Sequence, residues 1–357
     1  MLRLEMLPAA YGDALVLEWG TTRSPHRILV DAGPLSTYRA VHDRVAALGR
    51  RPALDLLVAT HIDGDHIEGV VRLLQDRTAL GLHIEDVWFN GWPQLPSSDQ
   101  QGPDYGEMVG ALLQRDAALK GRWNAAFGRR AAGVARTGPL KTYEVAGARV
   151  TVLGPGPDEL AALQAQWTKV LTDAGVEPGD ADSALERLAR RPSLAGLEGE
   201  DVQGPAVKLD NSIANGSSIS FLFEYGGHAL LFTGDSHSTP LVHGIERLLK
   251  QRKQSRLAVD AFKLPHHCSK SNVTDELLAL VDTPRYLIST NGARYRHPDR
   301  EAVLRVVDGP SRRDDISLFF NYVSDTTGRW TTASSARQYR YTPVSPKTDA
   351  GGVVVEV

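Results

Sequence analysis

Short apolar runs that end in Gly, Asp or Pro recur along this chain, and helix-like stretches separate several of them. Ala14–Trp19 follows the Gly12-Asp13 turn, and Arg27–Val30 runs into Asp31-Ala32-Gly33; within the first thirty residues these two runs predict buried strands. Tyr38, Val41, Val45, Ala46 and Leu48 fall on one stripe of a helix predicted over 37–49. Leu56–Ala59 is a further apolar strand that delivers the chain to Thr60-His61, and 67–74 resumes a helical period. The rhythm returns at 149–153, which ends at Gly154-Pro155-Gly156-Pro157. Runs 218–223 and 229–232 predict a hairpin around Gly226-Gly227 that ends at Thr233-Gly234-Asp235. Runs 258–262 and 286–289 lead to Leu264-Pro265-His266-His267 and to Thr290-Asn291-Gly292. Strand, polar loop, helix is the order of an α/β protein with its chemistry at the strand ends, and several strand ends here carry polar residues.

Residues 158–210 break the rhythm with two helix-like stretches, about 158–174 and 181–190, and then a Gly/Pro-punctuated loop. They predict an insertion near the mouth of the site, within a single domain over 1–357. The Pro-, Ser-, Gln- and Gly-rich segment 93–106 predicts a surface loop.

The densest polar constellation is Thr60-His61-Ile62-Asp63-Gly64-Asp65-His66, read as a loop at the end of an apolar strand. Imidazole and carboxylate together suit divalent Zn, Mn or Fe. His61 and Asp63 can point to one side, and Asp65 and His66 can swing to the other. That arrangement suits two metals in one pocket. Each further piece has a plain reading when alone: Asp235 after a strand is an ordinary helix N-cap, and His266-His267 is a loop feature.

Composition narrows the class. With 42% hydrophobic and 23% charged residues, a chain of 357 can bury a core, which excludes disorder as the main state. Lys+Arg number 40 and Asp+Glu 43, a net charge of −3, which makes the chain a poor candidate for a generic coater of duplex nucleic acid and still allows a local basic groove. Cys268 is the single cysteine, so a disulfide scaffold and a Cys-based zinc finger are excluded. Charge interrupts the opening Met1–Leu7, which lacks the apolar centre of a signal peptide, and no run approaches the ~18 apolar residues of a membrane span. The expectation is a cytoplasmic protein. The basic run 250–256 reads as a solvated helix end, since it lacks the interleaved aromatics of a nucleic-acid track. Trp88, Phe89 and Trp92 read as core or pocket wall.

Taken in order, these segments resemble the metallo-β-lactamase superfamily, and within it the ComEC/Rec2-like branch. That branch runs strand–His-x-Asp-x-Asp-His, then Gly-Asp, then Leu-Lys-x-Pro-His-His-Gly-Ser, then a Ser/Gly/Asn-rich turn before Tyr-x-His-Pro. The corresponding pieces here are His61–His66, Gly234-Asp235, Lys263-Leu264-Pro265-His266-His267-Cys268-Ser269, and Ser289–Gly292 before Tyr295-Arg296-His297-Pro298. The resemblance covers about 1–80 and 205–300, and only the joint pattern is specific.

The resemblance implies a four-layer αββα sandwich with two divalent ions, Zn or Mn, at one edge. Transferred residue by residue, His61, Asp63 and Asp235 hold the first ion. Asp65, His66, Asp235 and His267 hold the second, with Asp235 bridging. Asp63 stands where the commoner pattern has a second His, and the strand near 153 is followed by no third His. The first site is therefore oxygen-rich, which shifts preference from Zn toward Mn. Sequence leaves open whether His266 or His267 is the ligand; His267 is favoured, with His266 nearer the substrate.

Asp65 can both ligate and orient the nucleophilic water. His297 is a candidate proton donor or phosphate contact, against the plain reading of a structural loop histidine. Lys270, Asn291 and Arg294 are candidate substrate contacts. Asp13 and Asp31, beside glycines, are candidate partners that orient ligand imidazoles. Asn215-Gly216-Ser217-Ser218 matches a family strand entry and reads as structural. Cys268 replaces the family's usual glycine, at a place where φ > 0 suits Gly and not Cys.

The function implied is a dinuclear metal-dependent hydrolase, with a phosphodiester, including nucleic acid, as the favoured substrate. Alternatives are a phosphorylcholine-type ester, a lactone, a thioester or a β-lactam, or a non-catalytic metal-binding protein of the same fold. A DNA-uptake role is disfavoured, because the chain lacks the membrane channel that accompanies the ComEC-type domain.

Overall fold

Alternation with period two sorts each strand's side chains onto two faces, and the computed structural model of the chain shows what those faces meet. It describes residues 1–95, 104–174, 179–189, 211–348 and 350–357. Among the described residues, one sheet contains β1 (Leu2–Met6), β2 (Leu15–Gly20), β3 (Pro25–Val30), β4 (Leu56–Val58), β5 (Val87–Trp88) and the C-terminal strand β14 (Val353–Glu356), in the order β14-β1-β2-β3-β4-β5. The second contains β6 (Thr142–Val145), β7 (Ala148–Gly154), β8 (Ser220–Tyr225), β9 (His228–Phe232), β10 (Ala261–Lys263), β11 (Arg285–Ile288), β12 (Ser317–Phe320) and β13 (Thr342–Val344). Its order is β13-β12-β11-β10-β9-β8-β7-β6. Each sheet begins as an antiparallel meander and continues with parallel strands.

The two sheets bury one face against each other. Leu15, Leu17, Trp19, Ile28, Val30, Leu56 and Val58 from the first meet Phe221, Phe223, Leu230, Phe232, Ala261 and Leu287 from the second. The alternate residues point outward. Val16, Leu29 and Leu57 pack under helices α1 (Tyr38–Ala46), α2 (Gly64–Leu80) and α3 (Asp104–Arg115). Leu222, Leu231, Phe262, Tyr286 and Ile288 pack under α7 (Ser238–Arg252), α8 (Asp275–Leu280) and α9 (Arg300–Asp308). The result is the four-layer αββα sandwich that the resemblance implies. Each buried side chain of this size contributes about 1.5–3 kcal/mol, so the three apolar layers dominate what holds the fold.

The structure departs from the sequence reading in several places. Leu2–Met6 is a third strand within the first thirty residues, with alternating buried and half-buried positions, where the charges at Arg3 and Glu5 hid the pattern. Helix α2 starts at Gly64, so Asp65 and His66 ride on its first turn instead of a loop; an acidic first turn suits the helix dipole. The run 258–262 splits at Val259-Asp260, because the Asp260 carboxylate accepts a hydrogen bond from the Ala229 N–H. Helices α4 (Pro157–Ala174) and α5 (Ala181–Ala189) match the two stretches read in the insertion, the short α6 (Asn211–Gly216) precedes β8, and Leu160, Leu163, Trp167 and Leu188 join the core under α1–α3. The loop read after them falls on 190–210, outside the described residues, as do 96–103 of the segment 93–106. Lys250 and Arg252 lie in the last turn of α7, where Arg252 pairs with both oxygens of Glu224. Among the described residues, no helix is long and apolar enough to cross a membrane.

Parallel neighbours deliver their C-terminal ends to one edge. Val30 pairs with Val58 across β3 and β4, and Leu231 with Phe262 across β9 and β10. The loops that follow are stitched between the sheets: Ile219 N–H donates to Thr60 O at 2.9 Å, and Ser289 Oγ donates to Gly12 O at 2.8 Å. Gly12 itself lies against the backbone carbonyl of Asp65, with no room for a Cβ. Because a backbone group cannot swing aside, Gly12→Ala is expected to lower stability by about 1–3 kcal/mol in urea unfolding. An unchanged midpoint would show that this close approach does not hold the loop to α2.

Candidate metal centre

The edge where the strands end gathers residues from both sheets. Asp13 follows Gly12 between β1 and β2, and Asp31 follows β3. His61 and Asp63 follow β4, and Asp65 and His66 open α2. Asp235 follows β9, and His266 and His267 follow β10. His61, Asp63, Asp65, His66, Asp235 and His267 are all at most 9% exposed. Asp235 is not a helix cap, since α7 begins later with His237 in the cap position.

Each imidazole is held by its Nδ1, and the partner decides where the proton sits. His66 Nδ1 donates to Asp31 Oδ2 at 2.9 Å. His267 Nδ1 donates to the carbonyl oxygen of Ser289 at 2.8 Å, with Asp13 Oδ1 at 3.5 Å. Thr60 Oγ1 spends its proton on Asp31 Oδ2 at 2.7 Å and so accepts from His61 Nδ1 at 2.9 Å. The Nε2 atoms of all three therefore turn lone pairs inward. His66 Nε2 and His267 Nε2 face one another at 3.3 Å, and each lies 3.4 Å from Asp235 Oδ2. Three such atoms on a tetrahedral ion with bonds of about 2.0–2.2 Å stand about 3.3–3.6 Å apart. Asp65 Oδ2 lies 3.6 Å from His267 Nε2 and 4.0 Å from His66 Nε2. On the other side, His61 Nε2 lies 3.9 Å from Asp63 Oδ2. His61 Nε2 and Asp235 Oδ1 are buried without a hydrogen-bond partner. Facing lone pairs and orphaned buried acceptors call for cations, and the donor set fits a dinuclear metal centre. Two overlapping groups, His61-His66-Asp235 and Asp65-His66-His267, each have the spacing to hold an ion.

The charges agree. Asp13, Asp31, Asp63, Asp65 and Asp235 are all buried, and Lys263 is the one buried Lys or Arg among the described residues. Five buried carboxyl groups thus face one buried ammonium, a set that two divalent ions would balance with every carboxylate ionised and the imidazoles neutral. Lys263 Nζ lies 2.7 Å from Asp13 Oδ2, and burial of Asp13 is outweighed by this ammonium and by His267, so its carboxyl is held well below the usual range. Burial pushes Asp63 well above the carboxylate range, and Asp65 beside it adds to the rise. For Asp65 burial is outweighed by the hydrogen bond to His267 and the charge of His66, which lower it. Burial and the neighbouring His66 push His61 down to about 3. For His66 and His267 burial is outweighed by Asp235 and by Asp31 or Asp13, which raise both well above the usual imidazole value.

The sequence left His266 and His267 undecided, because the answer is a matter of backbone dihedrals. His266, His267 and Cys268 take φ of 46°, 52° and 67°, three left-handed residues in a row. Each costs about 1–2 kcal/mol for a residue with a Cβ. The turn sends His267 into the cluster and leaves His266 half-buried beside it, its Nε2 3.8 Å from Asp235 Oδ2. Cys268 keeps the positive φ that its replacement of glycine called into question. Its side chain is fully buried, and burial pushes the thiol far above its ordinary value.

The remaining candidates lie around this cluster. The His297 ring sits 5.2 Å from that of His266, and burial with the nearby His267 and His266 pushes it down to about 4. Arg294 is exposed, its guanidinium 5.2 Å from the ring of Tyr11 and 5.3 Å from that of Tyr295, and its charge is felt at Asp63. Asn291 uses its carboxamide oxygen to accept from Ala293 N–H in its own turn. Lys270 is exposed, and its backbone N–H donates to Asp299. Sequence reasoning missed Thr60, Lys263, Asn272 and the Ser289 carbonyl. Of these, only Lys263, a charge at a buried strand position, left a readable signal.

No family model matches the chain, and no curated protein matches it. Among solved structures it is similar to the metallo-beta-lactamase fold protein YhfI from Bacillus subtilis, with TM-score 0.42 and 11% identity over 100% of this chain and 99% of that one. It is also similar to CmlA, a diiron beta-hydroxylase from Streptomyces venezuelae, with TM-score 0.38 and 12% identity over 100% of this chain and 54% of that one. The chain thus spans about half the length of CmlA.

Without ions, His66, His267 and Asp63 all bind protons more tightly than free groups do, so an entering cation competes with protons there. Metal affinity is therefore expected to rise with pH between about 6 and 8, with protons released on binding. Calorimetry in buffers of different ionisation enthalpy checks this, and a pH-independent affinity would contradict it. Asp31→Asn removes the acceptor of His66 Nδ1–H and is expected to weaken metal binding about 10–100-fold in chelator competition.

Proposed function

We propose that this chain is a dinuclear metal-dependent hydrolase of the ComEC/Rec2-like branch, acting on phosphodiesters. The observation that carries the reading is the gathering of five buried carboxyl groups, against one buried ammonium, around three inward-facing imidazoles. His61, Asp63 and Asp235 would hold the first ion, and Asp65, His66, Asp235 and His267 the second. Bound there, divalent ions polarise a phosphoryl oxygen and lower the pKa of a water nucleophile. An oxygen-rich first site favours Mn over Zn.

The chain's own residues do the rest. Asp65, held ionised, offers a carboxylate oxygen to orient the nucleophilic water. Asp31 and the Ser289 carbonyl hold His66 and His267 in one tautomer, so that neither ring can turn away. His297 is neutral at pH 7, so in the free protein it is not a charged acid; its ring can donate a hydrogen bond to an oxygen of the substrate. Arg294, steadied between Tyr11 and Tyr295, supplies the positive charge that an anionic ester needs at the mouth.

The test is hydrolysis of bis(p-nitrophenyl) phosphate by metal-stripped protein reloaded with Mn or Zn. Activity is expected to require metal and to fall about 10²–10⁴-fold in Asp65→Ala and His66→Ala. Full metal occupancy without turnover would overturn phosphodiester specificity and turn the search to carboxylic esters, thioesters and lactones. Binding without turnover on any of these substrates would favour the non-catalytic alternative.

A further inference from the structure

Aromatic rings step outward from the cluster. The first is His266, which Asn272 holds: Asn272 Nδ2 donates to the Ser236 carbonyl oxygen at 2.9 Å, and its Oδ1 accepts from His266 Nδ1 at 3.2 Å. The His297 ring follows at 5.2 Å from that of His266, and the Tyr295 ring at 6.2 Å from that of His297. The Tyr11 ring comes next, 6.3 Å from that of Tyr295 and edge to face with it at 89°. Tyr11 lies in the loop before β2 and Tyr295 in the loop after β11, so each sheet contributes one tyrosine. Arg294 joins them, its guanidinium over both rings and its Nη1 3.4 Å from Tyr11 Oη.

The two tyrosines are set on a fixed backbone. Ala10 directly precedes Tyr11 and Arg296 directly follows Tyr295, and both are left-handed, with φ of 50° and 59°. A strained backbone persists where its surroundings over-determine it. Here Ala10 N–H donates to Tyr322 Oη at 2.9 Å, and Ala10 O accepts from Asn291 N–H at 2.7 Å, which ties the two loops together. Arg296 N–H donates to Gly292 O at 3.0 Å, and Thr326 Oγ1 donates to His297 O at 2.7 Å. Gly12, next to Tyr11, abuts the Asp65 carbonyl and so sets this loop against the first turn of α2. Burial, helped by the charges of Asp65 and Asp63, pushes the Tyr295 hydroxyl up to about 12, so it stays neutral. Tyr295 nevertheless keeps 36% of its surface open; among the described residues the other exposed large apolar side chains are Met1 and Val323.

An open aromatic surface with a guanidinium stacked on it suits a planar ring carried close to a negative charge. We infer that Tyr11, Arg294 and Tyr295 form a subsite for a planar aromatic group of the substrate, so that the site prefers phosphodiesters bearing an aryl or nucleobase ring over alkyl ones. This rests on the phosphodiester reading above. The guanidinium meets the charge of the ester, and the tyrosines meet the ring. A saturated ring of similar size has no π face, and apolar contact alone would favour it, so the pair of rings separates stacking from mere burial.

The test compares affinities without turnover. The methyl monoesters of benzylphosphonic and cyclohexylmethylphosphonic acid are monoanions whose P–C bond does not hydrolyse, and each is titrated by calorimetry into Mn-loaded full-length protein. Wild type is expected to bind the benzyl ester about 5–100-fold more tightly. Tyr11→Leu and Tyr295→Leu are expected to bring that ratio close to one, Tyr295→Phe to keep it, and Arg294→Gln to weaken both ligands. A third ligand identifies the ring that the subsite takes: an adenosine analogue with CH2 in place of the 5′ oxygen and its phosphonate esterified by methyl. Tighter binding than the benzyl ester points to a nucleobase, and weaker binding to a simple aryl ester; either supports the subsite if the benzyl preference holds. Equal or weaker binding of the benzyl ester by wild type, or a preference that survives both leucine variants, would overturn the subsite while leaving the phosphodiester reading intact. Mn-loaded wild type that binds neither ester would defeat the phosphodiester reading, and the subsite with it.

Discussion

A sheet edge rich in carboxylate meets a second edge at one place in this molecule, and Asp235 of the second edge lies between the imidazoles that the two contribute. His66 comes from the first sheet and His267 from the second, and their Nε2 atoms stand 3.3 Å apart with a carboxylate oxygen 3.4 Å from each. Like-charged carboxylates and facing lone pairs repel unless cations separate them. The raised pKa of His66 and His267 is the same demand for positive charge that a pair of divalent ions would meet. Other contacts near this edge keep these groups in place. The Thr60–Asp31 and Lys263–Asp13 pairs hold the outer carboxylates still, and the Ser289–Gly12 and Ile219–Thr60 bonds tie one sheet to the other.

A common device sets the direction of each imidazole in the cluster. A buried acceptor takes the Nδ1 proton, and Nε2 is left to the centre. Asp31, the Ser289 carbonyl and Thr60 do this for His66, His267 and His61. Such partners make the site rigid before any ion arrives, so less free energy is lost in ordering side chains when one does. They also explain why an unusual backbone is tolerated. The turn from His266 to Cys268 spends several kcal/mol of conformational strain, about 1–2 for each left-handed residue, and gains two aimed rings.

Much of this was legible in the chain. The apolar runs before Asp31, His61, Asp235 and His266 placed four strand ends at one edge, because an α/β sheet sends its parallel strands the same way. The His-x-Asp-x-Asp-His spacing and the later Gly-Asp and His-His pieces named the residues that the fold gathers. Other features depend on distance or dihedral angle, which sequence does not carry. Whether His266 or His267 turns inward is set by φ values near 50°. Asn272 and Ser289 act through single hydrogen bonds across the sheet, and nothing in their neighbours marks them. Leu2–Met6 was legible in principle, since alternation of apolar and charged residues is itself a strand signal, but the charges at Arg3 and Glu5 masked it as a polar start.

The central claim is that this cluster is a two-ion centre, and anomalous diffraction from crystals grown with Mn²⁺ or Zn²⁺ tests it most directly. Data on either side of the metal absorption edge should show two peaks. One should lie among Asp65, His66, His267 and Asp235, and the other on the His61 and Asp63 side of Asp235. Strong density for these side chains with no anomalous peak between them would contradict the account.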